Sequence, residues 1–157
     1  MTKKTSKNIR LCCFMALAFC LVWAVSMVVF FISVFSSNAS SHSVDWSDGT
    51  IKKIIVLVCY AASSIAMIGM CAKAVINVMI GLRENIAFPR SNEKLLFWIA
   101  LVDFFRLLGT SNFPILWDNN LVMAITPEIV LKPFFLLFFA FMYKVAADAV
   151  EENNLTI

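Results

Sequence analysis

The sequence predicts an all-α integral membrane protein, a four-helix bundle with both termini in the cytoplasm. Three observations predict it. Apolar residues make up 61% of the 157-residue chain and charged residues only 15%, against roughly 45–50% and about 25% in soluble domains. The apolar residues gather in four long runs instead of alternating with polar ones. Lys and Arg crowd the N-terminus and one connector, the asymmetry that orients helices in a bilayer. A soluble core of this length could not bury 15 phenylalanines, whereas lipid is itself an apolar solvent. The whole chain, 1–157, reads as one membrane domain.

The first span is 11–35, preceded by Lys3, Lys4, Lys7 and Arg10. At about 1.5 Å per residue it covers roughly 37 Å, more than the ~30 Å hydrocarbon layer. The basic start and the small residues around Ala39 also fit a cleaved signal peptide. Such peptides use only about 7–15 apolar residues, so the length favours an uncleaved helix. The second span is 54–74. Lys73 can snorkel to the interface, and 74–85 continues as a helical extension outside the hydrocarbon. Ala62, Ala66 and Gly69 recur on it at helical spacing and read as a packing seam.

The third span, 91–109, opens with polar residues 91–94 and stops at Gly109. The fourth, 127–146, has a strong start signal in Thr126, Pro127 and Glu128: a capping hydroxyl, a proline at the first helical position and an acid in the first turn. Pro133 lies early enough to bend this helix without ending it. Residues 147–157 form a tail.

Positive residues choose the sides. The N-terminus has four, and the connector between spans two and three has Arg83, Arg90 and Lys94. The connector between spans three and four has none. The connector between spans one and two carries His42, Asp45 and Asp48, and then Lys52 and Lys53, which weaken the asymmetry without reversing it. Trp46 and Trp117, in the outer connectors, fit interfacial anchors. The sequon at Asn38, Ala39 and Ser40 falls on that same side and matters only in a eukaryotic secretory setting.

Four charges interrupt the apolar runs: Asp103 and Arg106 in span three, Glu128 and Lys132 in span four. Each pair shares a helix face at i,i+3 or i,i+4. With the two helices antiparallel, matching depths would pair Asp103 with Lys132 and Arg106 with Glu128, just under the outer leaflet. One reading makes them ion pairs that set helix register. The other makes them a polar site for a ligand, an ion or a gating switch. The apolar inner halves of spans three and four argue against a transport path.

No catalytic pattern rises from the chain, and it reads as no enzyme. The five cysteines lie in apolar segments without metal spacing, and His42 is the only histidine. HExxH, GxSxG, Walker A and GxGxxG are all missing. The sequence therefore predicts no cofactor, no metal site and no direct nucleic-acid binding, the basic N-terminus being a topology signal.

Two segments carry a resemblance. The tail YKVAADAVEENNLTI contributes Asp148, Glu151, Glu152, Leu155 and Ile157, and the connector IAFPRSNEKLL contributes Phe88, Asn92 and Lys94. With the four-span layout, they resemble a family of small bacterial membrane proteins, domain of unknown function family 2975. The chain departs from it at Ala87, where Pro usually precedes the Phe, at Ala146, where Gly is frequent, and at Asn154, where Asp is frequent. The resemblance implies a multi-pass protein of the bacterial inner membrane with both ends inside. It also implies a small Cro/C1-type helix-turn-helix regulator as partner, and no biochemical activity. Residues alone add that the acidic tail can pair with Lys3, Lys4, Lys7, Arg83 or Arg90 on the same side, or dock a basic soluble protein. Leu155, Thr156 and Ile157 can add as an edge strand to a partner. The lipid bilayer, such a regulator and further copies of the chain are the partners to weigh.

Overall fold

The computed structural model describes residues 3–35, 44, 46, 49–84, 86, 88–117 and 122–155. Among these residues it is helical, without strands: α1 (Lys3–Phe35), α2 (Thr50–Gly81), α3 (Ser91–Ser111), the single turn α4 (Pro114–Trp117) and α5 (Pro127–Leu155). The four long helices are each long and apolar enough to cross a membrane. α1, α2 and α5 have 33, 32 and 29 residues. At the helical rise they reach about 43–50 Å, past the ~30 Å hydrocarbon at one or both ends. α3, with 21 residues, just spans it.

The helices run alternately up and down. Phe35, ending α1, stacks on Trp46 just before α2, with ring centroids 6.1 Å apart. Asn77 of α2 bonds Asn92 of α3, and Ser111 of α3 meets Thr126 before α5. The start of α1 and the end of α5 thus share one end of the molecule with connector residues 82–84, 86 and 88–90. We call this the termini end, and the opposite one, with residues 44, 46, 49, 112–117 and 122–126, the loop end. Packing follows chain order: α1 on α2, α2 on α3, and α3 on α5. α2 and α3 are the inner helices, and α1 and α5 are the outer members. α1 buries only the stripe Cys13, Met27 and Val34, while Phe19, Val25, Val29 and Ile32 stay exposed, as expected of side chains solvated by lipid.

α2 continues without a break to Gly81, so the helical extension past residue 74 is present. It ends in a turn, where the Ile86 N–H donates to Gly81 O at 2.8 Å. At its start Gly49 takes φ 65°, a left-handed conformation that suits glycine.

Two expectations are corrected. Ala62, Ala66 and Gly69 are exposed, and a Cβ added at Gly69 would meet nothing within 4 Å. They are not the seam on which α2 packs. Its buried residues are Lys53, Val56, Leu57, Ser63, Ser64 and Gly81. Spacing identified a face of the helix but not which way that face turns, and small residues facing lipid carry no penalty. Gly109, expected to end α3, lies inside it. A Cβ there would come within 2.9–3.1 Å of Tyr60, backbone included. At this glycine α3 lies close against the α2 backbone, and α3 runs on to Ser111.

Candidate functional site

The intramembrane charges form two pairs within helices, not pairs across them. Arg106 Nη2 lies 2.6 Å from Asp103 Oδ1, and its Nε donates to the same oxygen at 2.7 Å. Lys132 Nζ lies 2.7 Å from Glu128 Oε2. Among the described residues no ion pair joins α3 to Glu128 or Lys132. Depth does not account for this, because Ser111 Oγ and Thr126 Oγ1, 3.4 Å apart, keep the two helix ends level. Rotation does. Arg106 turns toward α1, its guanidinium 5.7 Å from the centroid of the Trp23 ring. Ile129, Pro133, Ala140 and Ala147 form the buried stripe of α5, which leaves Glu128 and Lys132 on its outward side. Asp103 is 3% exposed. The Glu128 and Lys132 side chains are 67% and 56% exposed, where they can reach the interface.

The loop end is packed around apolar and aromatic side chains. Val34, Val44, Val56, Leu57, Ile115 and Leu116 form a buried cluster, flanked by Phe30, Phe31, Trp46 and Phe113. Phe30 stacks on Phe113 at 5.1 Å, and Tyr60 meets Phe113 edge-on at 4.7 Å. The buried Asn112 clasps the segment entering α5. Its amide donates to Leu108 O at 2.8 Å and Ala124 O at 3.0 Å, and its carbonyl accepts from the Ala124 N–H at 2.6 Å. Lys53, one of the two lysines that weaken the charge asymmetry, is completely buried here.

The termini end gathers most of the residues that the sequence flagged in its connector and tail. Asn92, 2% exposed, is a hub. Its amide donates to Ala74 O, and its carbonyl accepts from the Asn77 amide, both at 2.8 Å. This ties α3 to the extension of α2. The Tyr143 hydroxyl donates to Pro89 O at 3.1 Å, and its ring meets Phe88 edge-on at 5.4 Å. Arg90 bridges the tail, 3.0 Å from Asp148 Oδ1 and in contact with Glu151. Lys144 lies 3.4 Å from Glu93. Connector and tail are therefore one surface. Ile86, Phe88, Pro89, Ala147 and Val150 line a hollow of about 380 Å³ in it, with Arg90 and Glu151 at the rim.

Lys94 is exposed and lies on the far side of α3's first turn, away from this hollow. Glu152 is exposed on the last turns of α5. The side chain of Leu155, the whole of Ile157, His42, Asp45, Asp48 and the sequon lie outside the described residues. Among the described residues no group of three His, Cys, Asp or Glu could hold a metal ion. Sequence reasoning missed Asn77 and Tyr143. A polar side chain at the lipid-exit point of an apolar helix marks both positions but not their partners, which in the fold are Asn92 and the Pro89 carbonyl. Compared with known proteins, the chain matches no family model, no curated protein and no solved structure.

Proposed function

We propose that this protein is a small non-enzymatic inner-membrane interaction protein, and that its termini end faces the cytoplasm and docks a soluble helix-turn-helix regulator. The observation that carries the reading is Arg90, held by both Asp148 and Glu151. These groups are half-exposed, so their mutual attraction is weak and replaceable. A partner that offers its own cation to the tail, and an apolar side chain to the hollow beside Phe88, can displace Arg90 with little loss. Apolar anchors in such hollows, rimmed by charge, are how protein partners commonly bind. The excess of Lys and Arg at this end supports a cytoplasmic orientation. The likeness of tail and connector to a family with such regulators as neighbours supports the kind of partner.

Co-expression with a helix-turn-helix regulator from the same gene neighbourhood tests it. The intact chain should retain the regulator through detergent purification. Removal of residues 148–157, or the charge reversal Arg90→Glu, should change that retention. Equal recovery with all three would remove this surface from consideration. The alternative, ligand binding or transport through an outer-leaflet charged cluster, now draws on Asp103 and Arg106 alone, since Glu128 and Lys132 face outward.

A further inference from the structure

A second hollow opens at the termini end, on the lipid-facing side between α3 and α5. It measures about 310 Å³. Two lysines stand at its mouth, one from each helix: Lys94 in the first turn of α3, and Lys144 on α5. Lys144 shares its charge with Glu93 at 3.4 Å, and Lys94 has no ion pair among the described residues. Two cations and one acid leave a net charge of +1 in the cleft.

The walls change character within one helical turn. Along α3, Phe97 and Trp98 follow Lys94 at i+3 and i+4. Along the antiparallel α5, Phe141 precedes Lys144 by three residues. Both helices thus step from ammonium to aromatic ring in the same direction, into the membrane. The hollow exists because Ala140, small and 5% exposed, stands where a larger residue would fill it. Phe97, Trp98 and Phe141 remain 47%, 54% and 60% exposed, open to an occupant.

From this geometry we infer that the α3–α5 cleft is a binding site for an anionic phospholipid. The phosphate lies between Lys94 and Lys144, and an acyl chain descends along Trp98 and Phe141. Charge complementarity selects an anionic headgroup, and basic pockets between membrane helices hold such lipids elsewhere. The aromatic lower walls select a lipid over a free phosphate ion. Trp98 follows Lys94 at i+4, so its indole ring stands one turn below the phosphate on the same face of α3. The inference is independent of any protein partner.

The test uses the full chain purified in mild detergent and exposed to phosphatidylglycerol or phosphatidylcholine of identical acyl chains. Native mass spectrometry should show preferential retention of phosphatidylglycerol. A brominated phosphatidylglycerol should quench a share of the fluorescence that Trp98→Phe removes. Lys94→Gln and Lys144→Gln should each lower the preference about 5-fold, and together about 25-fold. Lys94→Arg should keep it, and Lys132→Gln, at the loop end, should leave it unchanged. Helix content and elution volume check that each variant folds. The inference is overturned if the two lipids are retained equally. It also fails if the double variant keeps the preference, or if glycerol phosphate competes at the same concentration as the lipid.

Discussion

The two ends of this bundle are closed by different physics. At the loop end, aromatic rings stack over a buried apolar cluster, and Asn112, 1% exposed, makes three side-chain hydrogen bonds. At the termini end, Arg90, Asp148, Glu151, Glu93 and Lys144 meet as ion pairs whose members are 30–61% exposed. Buried hydrogen bonds are costly to break because their partners are left unsatisfied. Exposed ion pairs contribute about 0–1 kcal/mol and are screened by salt. One end therefore holds the helices together, and the other can trade its contacts for those of a partner or a lipid. Asn92, buried and bonded through both its amide and its carbonyl, marks the boundary beneath the exchangeable layer.

The strongest attack on this comparison is to strand a charge in the loop half. Arg106→Met leaves Asp103, 3% exposed, without its cation. Breaking one side of a buried pair costs about 3–5 kcal/mol, to be read from denaturant titration in micelles. Asp103→Asn combined with Arg106→Met should recover most of it. If single and double variants lose the same stability, the pair has no net coupling. Next comes Asn112→Ala. It removes three hydrogen bonds, to the Leu108 and Ala124 carbonyls and from the Ala124 N–H, each contributing about 0.5–1.5 kcal/mol, and should cost about 1–3 kcal/mol, independent of salt.

How much of this was legible in the sequence depended on which coordinate each clue fixes. Hydropathy fixes position along the membrane normal, so the four spans, the start of α5 at Pro127 and the long extension of α2 all emerged from pattern alone. Rotation about each helix axis did not. Nothing in the spacing of Asp103, Arg106, Glu128 and Lys132 tells whether two helix faces meet. In a soluble helix the apolar stripe reveals the inward face. Here lipid and core are equally apolar, and that signal is lost. The same blindness placed the packing seam of α2 at Ala62, Ala66 and Gly69. Gly109 was visible as a glycine but not as a contact, because its role is set by Tyr60 on another helix.

The termini end should respond far more weakly. Arg90→Ala removes the bridge to Asp148 and Glu151 and should cost only about 0.5 kcal/mol. At about 1 M sodium chloride the Debye length is near 3 Å, and the variant and the parent chain should then unfold together. A loss that persists undiminished in high salt would mean that this end is as permanently closed as the other.

The smallest effect separates the two intramembrane pairs themselves. In sequence they are near twins, acid and base at i,i+3 and at i,i+4. In the fold, Asp103 is buried beside an Arg106 that faces Trp23 of α1, and Glu128 stands exposed on the outward side of α5. Glu128→Gln removes one charge from a pair that is already solvated at the interface, and Lys132 can still snorkel to headgroups. Stability in micelles should not change measurably, in low salt or high. A loss comparable to that of Arg106→Met would mean that the four charges act as one cross-helix cluster after all. The rotation that turns Arg106 toward Trp23 would then be the feature to discard.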